Sequence, residues 1–88
     1  MKSNLFQPNG NFLEAQLTGK NFLEMVAIMN VIAQIAEAEQ HHPDLLLYDY
    51  KKLKISITTH DEGYQVTEKD WILAKKIENY LNDIQFTS

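Results

Sequence analysis

The chain has 88 residues, no cysteine, 44% hydrophobic and 23% charged residues and a formal net charge of −4. That size holds one globular domain, and the missing thiol removes disulfides, thiolate nucleophiles and Cys-based zinc or iron–sulfur sites. The acidic balance provides no basic footprint for a nucleic-acid backbone and no polybasic segment for an anionic membrane.

Met1 to Pro8 carries a lone Lys and no apolar run, so no signal peptide is expected. The longest apolar stretch, Met25 to Ile35, is interrupted by Asn30 and Gln34 and is too short to span a bilayer, so a cytoplasmic protein is expected. Residues 1–10 end in the turn-favouring cluster Gln7-Pro8-Asn9-Gly10 and read as a loosely held arm ahead of a single domain over residues 11–88. From Asn11 to Leu17, Leu13, Ala15 and Leu17 alternate with Phe12, Glu14 and Gln16, which predicts a half-buried strand. Thr18 or Asn21 then caps a helix, with Gly19 easing the turn.

Over Lys20 to Gln40 the residues Phe22, Leu23, Val26, Met29, Ala33 and Ala36 recur at three- and four-residue steps, and Met25, Ile32 and Ile35 widen the stripe. The excess beyond one core stripe, Met25, Met29, Ile32 and Ile35, predicts a homo-oligomer through helix packing. Pro43 disfavours helical backbone at His42, so the helix is expected to stop near Gln40 or His41 and to leave both histidines at its C-terminus. Two strands are expected next, Leu45 to Tyr50 and Leu53 to His60. In the second, Leu53, Ile55 and Ile57 alternate with Lys54, Ser56 and Thr58, and His60 either points away from the aliphatic face or lies where the strand ends.

Asp61-Glu62-Gly63 is a turn, and Thr67-Glu68-Lys69-Asp70 reads as a helix start with an acid at the third position. Trp71, Ala74, Ile77, Tyr80 or Leu81, and Ile84 mark a second amphipathic helix to about Asn82. The links are too short for several crossover connections, so the expected class is α+β, an antiparallel sheet with two α-helices packed on one face.

All three histidines lie between positions 41 and 60, and Glu37 shares the helix face of His41 if the helix persists that far. Imidazole, with a reference pKa of roughly 6.5, is the side chain best suited to move protons near neutrality. On spacing alone, three solvated surface groups and a helix-ending proline remain the simpler reading. A zinc site of three histidines is conceivable, although adjacent histidines diverge on most backbones.

The run Glu37-Ala38-Glu39-Gln40-His41-His42-Pro43, then Tyr50, then Lys52 to Asp61 with His60, then Thr67-Glu68-Lys69-Asp70, resembles the signature of pterin-4a-carbinolamine dehydratases. The resemblance covers Asn11 to about Ile84 and implies a hydro-lyase of tetrahydropterin recycling. Such an enzyme dehydrates a 4a-hydroxytetrahydropterin to the quinonoid dihydropterin, with no metal and no cofactor. It further implies His41 and His60 as acid and base in an unassigned order, His42 binding or orienting the pterin, and Glu37 setting a histidine's charge. Pro43, Tyr50 and Asp70 fill supporting places. Asp70 is equally readable as a helix-start residue, and Tyr50 either faces the pterin or packs on the sheet, packing being preferred for it and for Trp71. Homodimers or homotetramers are implied, with a hydroxylase or a transcription factor as a further partner, and a binding or dimerisation module without catalysis is the alternative. The chain departs from the pattern after Pro43, where Asp44-Leu45-Leu46 replaces a common aromatic, and in a longer loop after His60.

Overall fold

A computed structural model describes residue 3 and residues 5–86. The elements run β1 (Gln7–Asn9), β2 (Phe12–Thr18), α1 (Phe22–Glu39), β3 (Asp44–Tyr48), β4 (Lys52–Ile57), a 3-10 turn (His60–Glu62) and α2 (Glu68–Asp83). The four strands form one antiparallel sheet in the order β1-β2-β4-β3. This is the α+β arrangement expected, with β1 in addition.

Alternation in the two central strands sets the core. Leu13, Ala15 and Leu17 of β2 lie opposite Ile57, Ile55 and Leu53 of β4, and all six are buried. Over this face pack Met25, Ile28, Ile32 and Ala36 of α1 with Leu73, Ala74, Ile77 and Leu81 of α2. Each fully buried aliphatic side chain of this kind contributes about 1.5–3 kcal/mol. Leu45 and Leu47 of β3 join the core in part, whereas Leu46 points out, as period two requires.

One expectation changes at this level. The buried stripe of α1 is Met25, Ile28, Ile32 and Ala36, while Phe22, Leu23 and Ala33 are exposed, Leu23 at 76%. Met25 and Ile32 therefore belong to the protein's own core and are not surplus surface. The helix is apolar on most of its circumference, so periodicity could not choose the face that the sheet covers. Ahead of residue 11, Phe6 is buried, and Gln7, Pro8 and Asn9 pair with Glu14, Leu13 and Phe12 through a turn in which Gly10 takes φ +62°. Met1, Lys2 and Asn4 of that arm lie outside the described residues.

Polar side chains pin the sheet's outer face. Glu14 accepts hydrogen bonds from Asn9 Nδ2 at 2.8 Å and Ser56 Oγ at 3.3 Å, linking β1, β2 and β4. The Asn9 bond, with Lys54 beside it, holds the Glu14 carboxyl below the usual carboxylate range.

The entry to α1 is tightly built. Asn21 is the N-cap and its Oδ1 accepts from Glu24 N at 2.8 Å, while Glu24 Oε1 accepts from Lys20 N at 2.6 Å. A Cβ at Gly19 would collide with Sδ of buried Met25 and sit 2.6 Å from Glu24 Oε1. Gly19→Ala is therefore expected to destabilise the fold by about 1–3 kcal/mol, the usual range for overpacking. Chemical denaturation checks this as a lower midpoint at unchanged slope.

Candidate functional site

Three chain ends converge at one edge of the helical layer: the C-terminus of α1, the segment following β4, and the N-terminus of α2. Helix α1 ends because Gln40 turns into the left-handed region at φ 54°, with Gln40 N donating to Glu37 O at 3.2 Å and His41 N to Ala36 O at 3.2 Å. This is a Schellman-type closure, made without the glycine that usually takes the position. Gln40 Nε2 adds a bond to Glu37 O at 2.8 Å. His41 and His42 are thus thrown off the helix end in different directions before Pro43 enters β3.

His41, 15% exposed in its side chain, points inward, and its Nε2 lies 2.6 Å from Oδ1 of Asp70. Asp70 is the third residue of α2 and is fully buried. Its Oδ2 accepts from Thr67 N at 2.7 Å and from Thr59 Oγ1 at 2.9 Å, and Thr59 Oγ1 also lies 2.7 Å from Thr67 Oγ1. The structural and functional readings of Asp70 therefore coincide in one side chain: one oxygen closes the start of α2 and the other holds an imidazole. A carboxylate only accepts, so His41 Nε2 carries the proton and Nδ1 is the ring atom left for other work.

His42 is exposed and its Nε2 pairs with Glu37 Oε2, also exposed, one turn back on α1. Such a surface pair is worth roughly 0–1 kcal/mol, so it biases the ring's direction more than it stabilises the fold. His60 opens the 3-10 turn beyond the end of β4, the second of the two positions left open for it. A cleft of about 220 Å³ is lined by Gln40, His41, His42, Thr58, Thr59, His60, Asp61 and Lys69. A second hollow of about 250 Å³, toward Glu39 and Ile72, shares Gln40, His41 and Lys69 with it.

The structure thus brings His41, His42 and His60 to one cleft, with Asp70 behind His41 and Glu37 behind His42. Pro43 is half-buried at the entry to β3 and does not line the cleft. Tyr50 stands elsewhere. It occupies the β3–β4 turn at φ 50°, beyond the five residues of β3, which carry the chain roughly 17 Å from the histidine end at about 3.4 Å per residue. At 56% exposure, with Lys51 Nζ over its ring at 5.7 Å, Tyr50 stands largely in solvent and is not packed on the sheet. Trp71 is partly buried against the core.

Sequence reasoning missed Thr58, Thr59 and Lys69. Thr58 and Thr59 are consecutive buried residues, which no alternating pattern marks; Thr58 Oγ1 donates to Asn11 O at 2.6 Å and Thr59 serves Asp70. Lys69 looks in sequence like any helix-surface lysine. Among the described residues, no group of three or more His, Asp or Glu side chains converges in a way that could hold a metal ion, and no helix is long and apolar enough to cross a membrane.

A family model described as pterin 4 alpha carbinolamine dehydratase matches residues 4–80. A protein of Aquifex aeolicus, provisionally named a pterin-4-alpha-carbinolamine dehydratase, is 38% identical over 74 residues, covering 84% of this chain and 73% of its own. One of Trichodesmium erythraeum with the same provisional name is 47% identical over 68 residues, covering 77% and 71%. Among solved structures, a transcriptional coactivator/pterin dehydratase from Brucella melitensis superposes with a TM-score of 0.77 at 26% identity, covering 86% of this chain and 81% of that one. A pterin dehydratase-like RuBisCO assembly factor of the alpha-carboxysome shares the fold at a TM-score of 0.64 and 15% identity, covering 84% and 83%. With the signature around His41 and His60 set on this sheet, and the family model matching nearly the whole chain, the protein belongs to the pterin-4a-carbinolamine dehydratase family.

Proposed function

We propose that the chain is a hydro-lyase that dehydrates a 4a-hydroxytetrahydropterin to the quinonoid dihydropterin by histidine acid/base catalysis. In the reaction the C4a hydroxyl takes a proton and leaves as water, the N5 proton is removed, and the N5 electron pair forms the C4a=N5 bond. Two proton transfers are needed, each worth roughly 10²- to 10⁴-fold when well placed.

The observation that carries the reading is the His41–Asp70 pair at 2.6 Å beneath a cleft that His60 also lines. A buried carboxylate on Nε2 orients the ring and stabilises the imidazolium formed when Nδ1 takes a proton, which suits His41 as the base for N5. His60, exposed and lining the same cleft, then protonates the departing hydroxyl. His42, held by Glu37, orients the pterin, and no metal or cofactor takes part. Phe22 and Leu23, left exposed on α1, support a homo-oligomer.

The test is to generate the carbinolamine with an aromatic amino-acid hydroxylase at mildly alkaline pH and to follow loss of its absorbance with and without the protein. Catalytic amounts of the protein are expected to accelerate the decay. No acceleration by the folded protein would favour the second reading, a binding or dimerisation module with a hydroxylase or transcription-factor partner. That reading draws on the coactivator description of the Brucella melitensis relative.

A further inference from the structure

The loop that carries His60 is closed on itself more firmly than a surface loop requires. Thr59 and Gln65 form an isolated antiparallel bridge, with Thr59 N donating to Gln65 O at 3.1 Å, and Tyr64 N and Glu62 N both donate to Thr59 O, at 3.1 and 3.3 Å. Gly63 N donates to His60 O at 3.1 Å. Gly63 takes φ +76°, a conformation natural to glycine, but the next residue, Tyr64, is also left-handed at φ +60°. A bulky residue in that region carries strain that only surrounding structure or function sustains.

What the strain achieves is visible in the ring. Tyr64 is 55% exposed, so its aromatic body is not held there by burial. Its centroid lies 4.7 Å from that of the His60 imidazole, the planes inclined at 52°. That separation is within the favourable range for aromatic pairs of roughly 4.5–7 Å. No hydrogen bond to another side chain orients the His60 ring among the described contacts, whereas His41 has Asp70 and His42 has Glu37. Each of the three cleft histidines thus has one neighbour that sets its direction, and for His60 that neighbour is an aromatic face. Thr59 joins this loop to the other wall, since its backbone closes the His60 turn while its hydroxyl donates to Asp70.

We infer that Tyr64 is a positioning residue for His60, holding the imidazole toward the cleft by ring contact on a backbone strained to present it. The inference rests on the dehydratase reading for its kinetic consequence but not for its geometry. Loss of the ring frees His60 among its rotamers, so the productive orientation is populated less and kcat falls while KM changes little.

The experiment compares Tyr64→Ala, Tyr64→Leu and Tyr64→Phe with the unaltered protein in the carbinolamine assay and by aromatic-region NMR of the His60 ring protons. Tyr64→Ala and Tyr64→Leu are expected to lower kcat roughly two- to tenfold, the population factor carried by one aromatic contact. They are also expected to move the His60 ring protons downfield as the ring current is lost. Tyr64→Phe restores both. In a double-mutant cycle, Tyr64→Ala adds no further loss once His60 is Ala. Unchanged His60 resonances in both Tyr64→Ala and Tyr64→Leu would overturn the inference, as would an equal loss of rate in the His60→Ala background. If the unaltered protein shows no dehydratase activity, the functional reading fails alone and the His60 resonances still decide the role of Tyr64.

Discussion

Asp70→Asn is expected to leave a folded protein whose dehydratase rate is reduced roughly 10²- to 10⁴-fold, the span of one lost proton transfer. The amide oxygen can still accept from Thr67 N and Thr59 Oγ1, the two donors that close the start of α2. That choice turns the amide nitrogen toward His41 Nε2, where a carboxylate oxygen stood 2.6 Å away. An NH₂ group donates, so Nε2 must accept and the ring proton moves to Nδ1, which then has no lone pair for a substrate proton. Rate measurements together with a retained circular dichroism spectrum separate this outcome from unfolding. Asp70→Ala removes both oxygens, strands buried Thr59 and the Thr67 N–H, and is expected to cost roughly 3 kcal/mol of stability besides. A rate for Asp70→Asn equal to that of the unaltered protein would remove His41 from the role of base.

Truncating the histidines is expected to produce an unequal series. His41→Ala and His60→Ala each remove one proton-transfer group and are expected to lower kcat roughly 10²- to 10⁴-fold. Because the two transfers belong to one reaction, the double variant is expected to lose less than the product of the single losses. His42→Ala and Glu37→Ala act on an exposed pair worth roughly 0–1 kcal/mol, so a rise in KM of less than about tenfold is expected with kcat largely kept. Steady-state kinetics on the four variants check the order. Full activity in both His41→Ala and His60→Ala would exclude this chemistry.

The hollow shared by Gln40, His41 and Lys69 bears on specificity. It lies beside the cleft and includes Glu39 and Ile72 but not His60, so under the proposed dehydratase reading it offers room for a substituent of the substrate. The left-handed Gln40 lines both hollows, so a side chain with a role in their walls stands where a glycine would close the helix with less strain.

Much of this molecule was legible in order along the chain. Period-two alternation at Leu13-Ala15-Leu17 and Leu53-Ile55-Ile57 identified the two central strands, Pro43 located the end of α1, and Thr67 with Asp70 located the start of α2. The ordered set Glu37, His41, His42, Pro43, Tyr50, His60 and Asp70 pointed to the family. These signals survive in one dimension because each is a local steric or hydrogen-bonding rule acting over a few residues. Tertiary structure alone decided the rest. It chose Met25, Ile28, Ile32 and Ala36 as the covered face of a helix that is apolar over most of its circumference. It buried Phe6 and paired β1 with β2, since a three-residue strand has no period of its own to read. It set Tyr50 in a turn at the far end of the hairpin and left the spacing of the signature unchanged. Above all, it gave each histidine a different neighbour, Asp70 for His41, Glu37 for His42 and Tyr64 for His60. Spacing states which residues are available, but whether an imidazole meets a buried carboxylate, an exposed one or an aromatic ring depends on how three chain ends pack together in space.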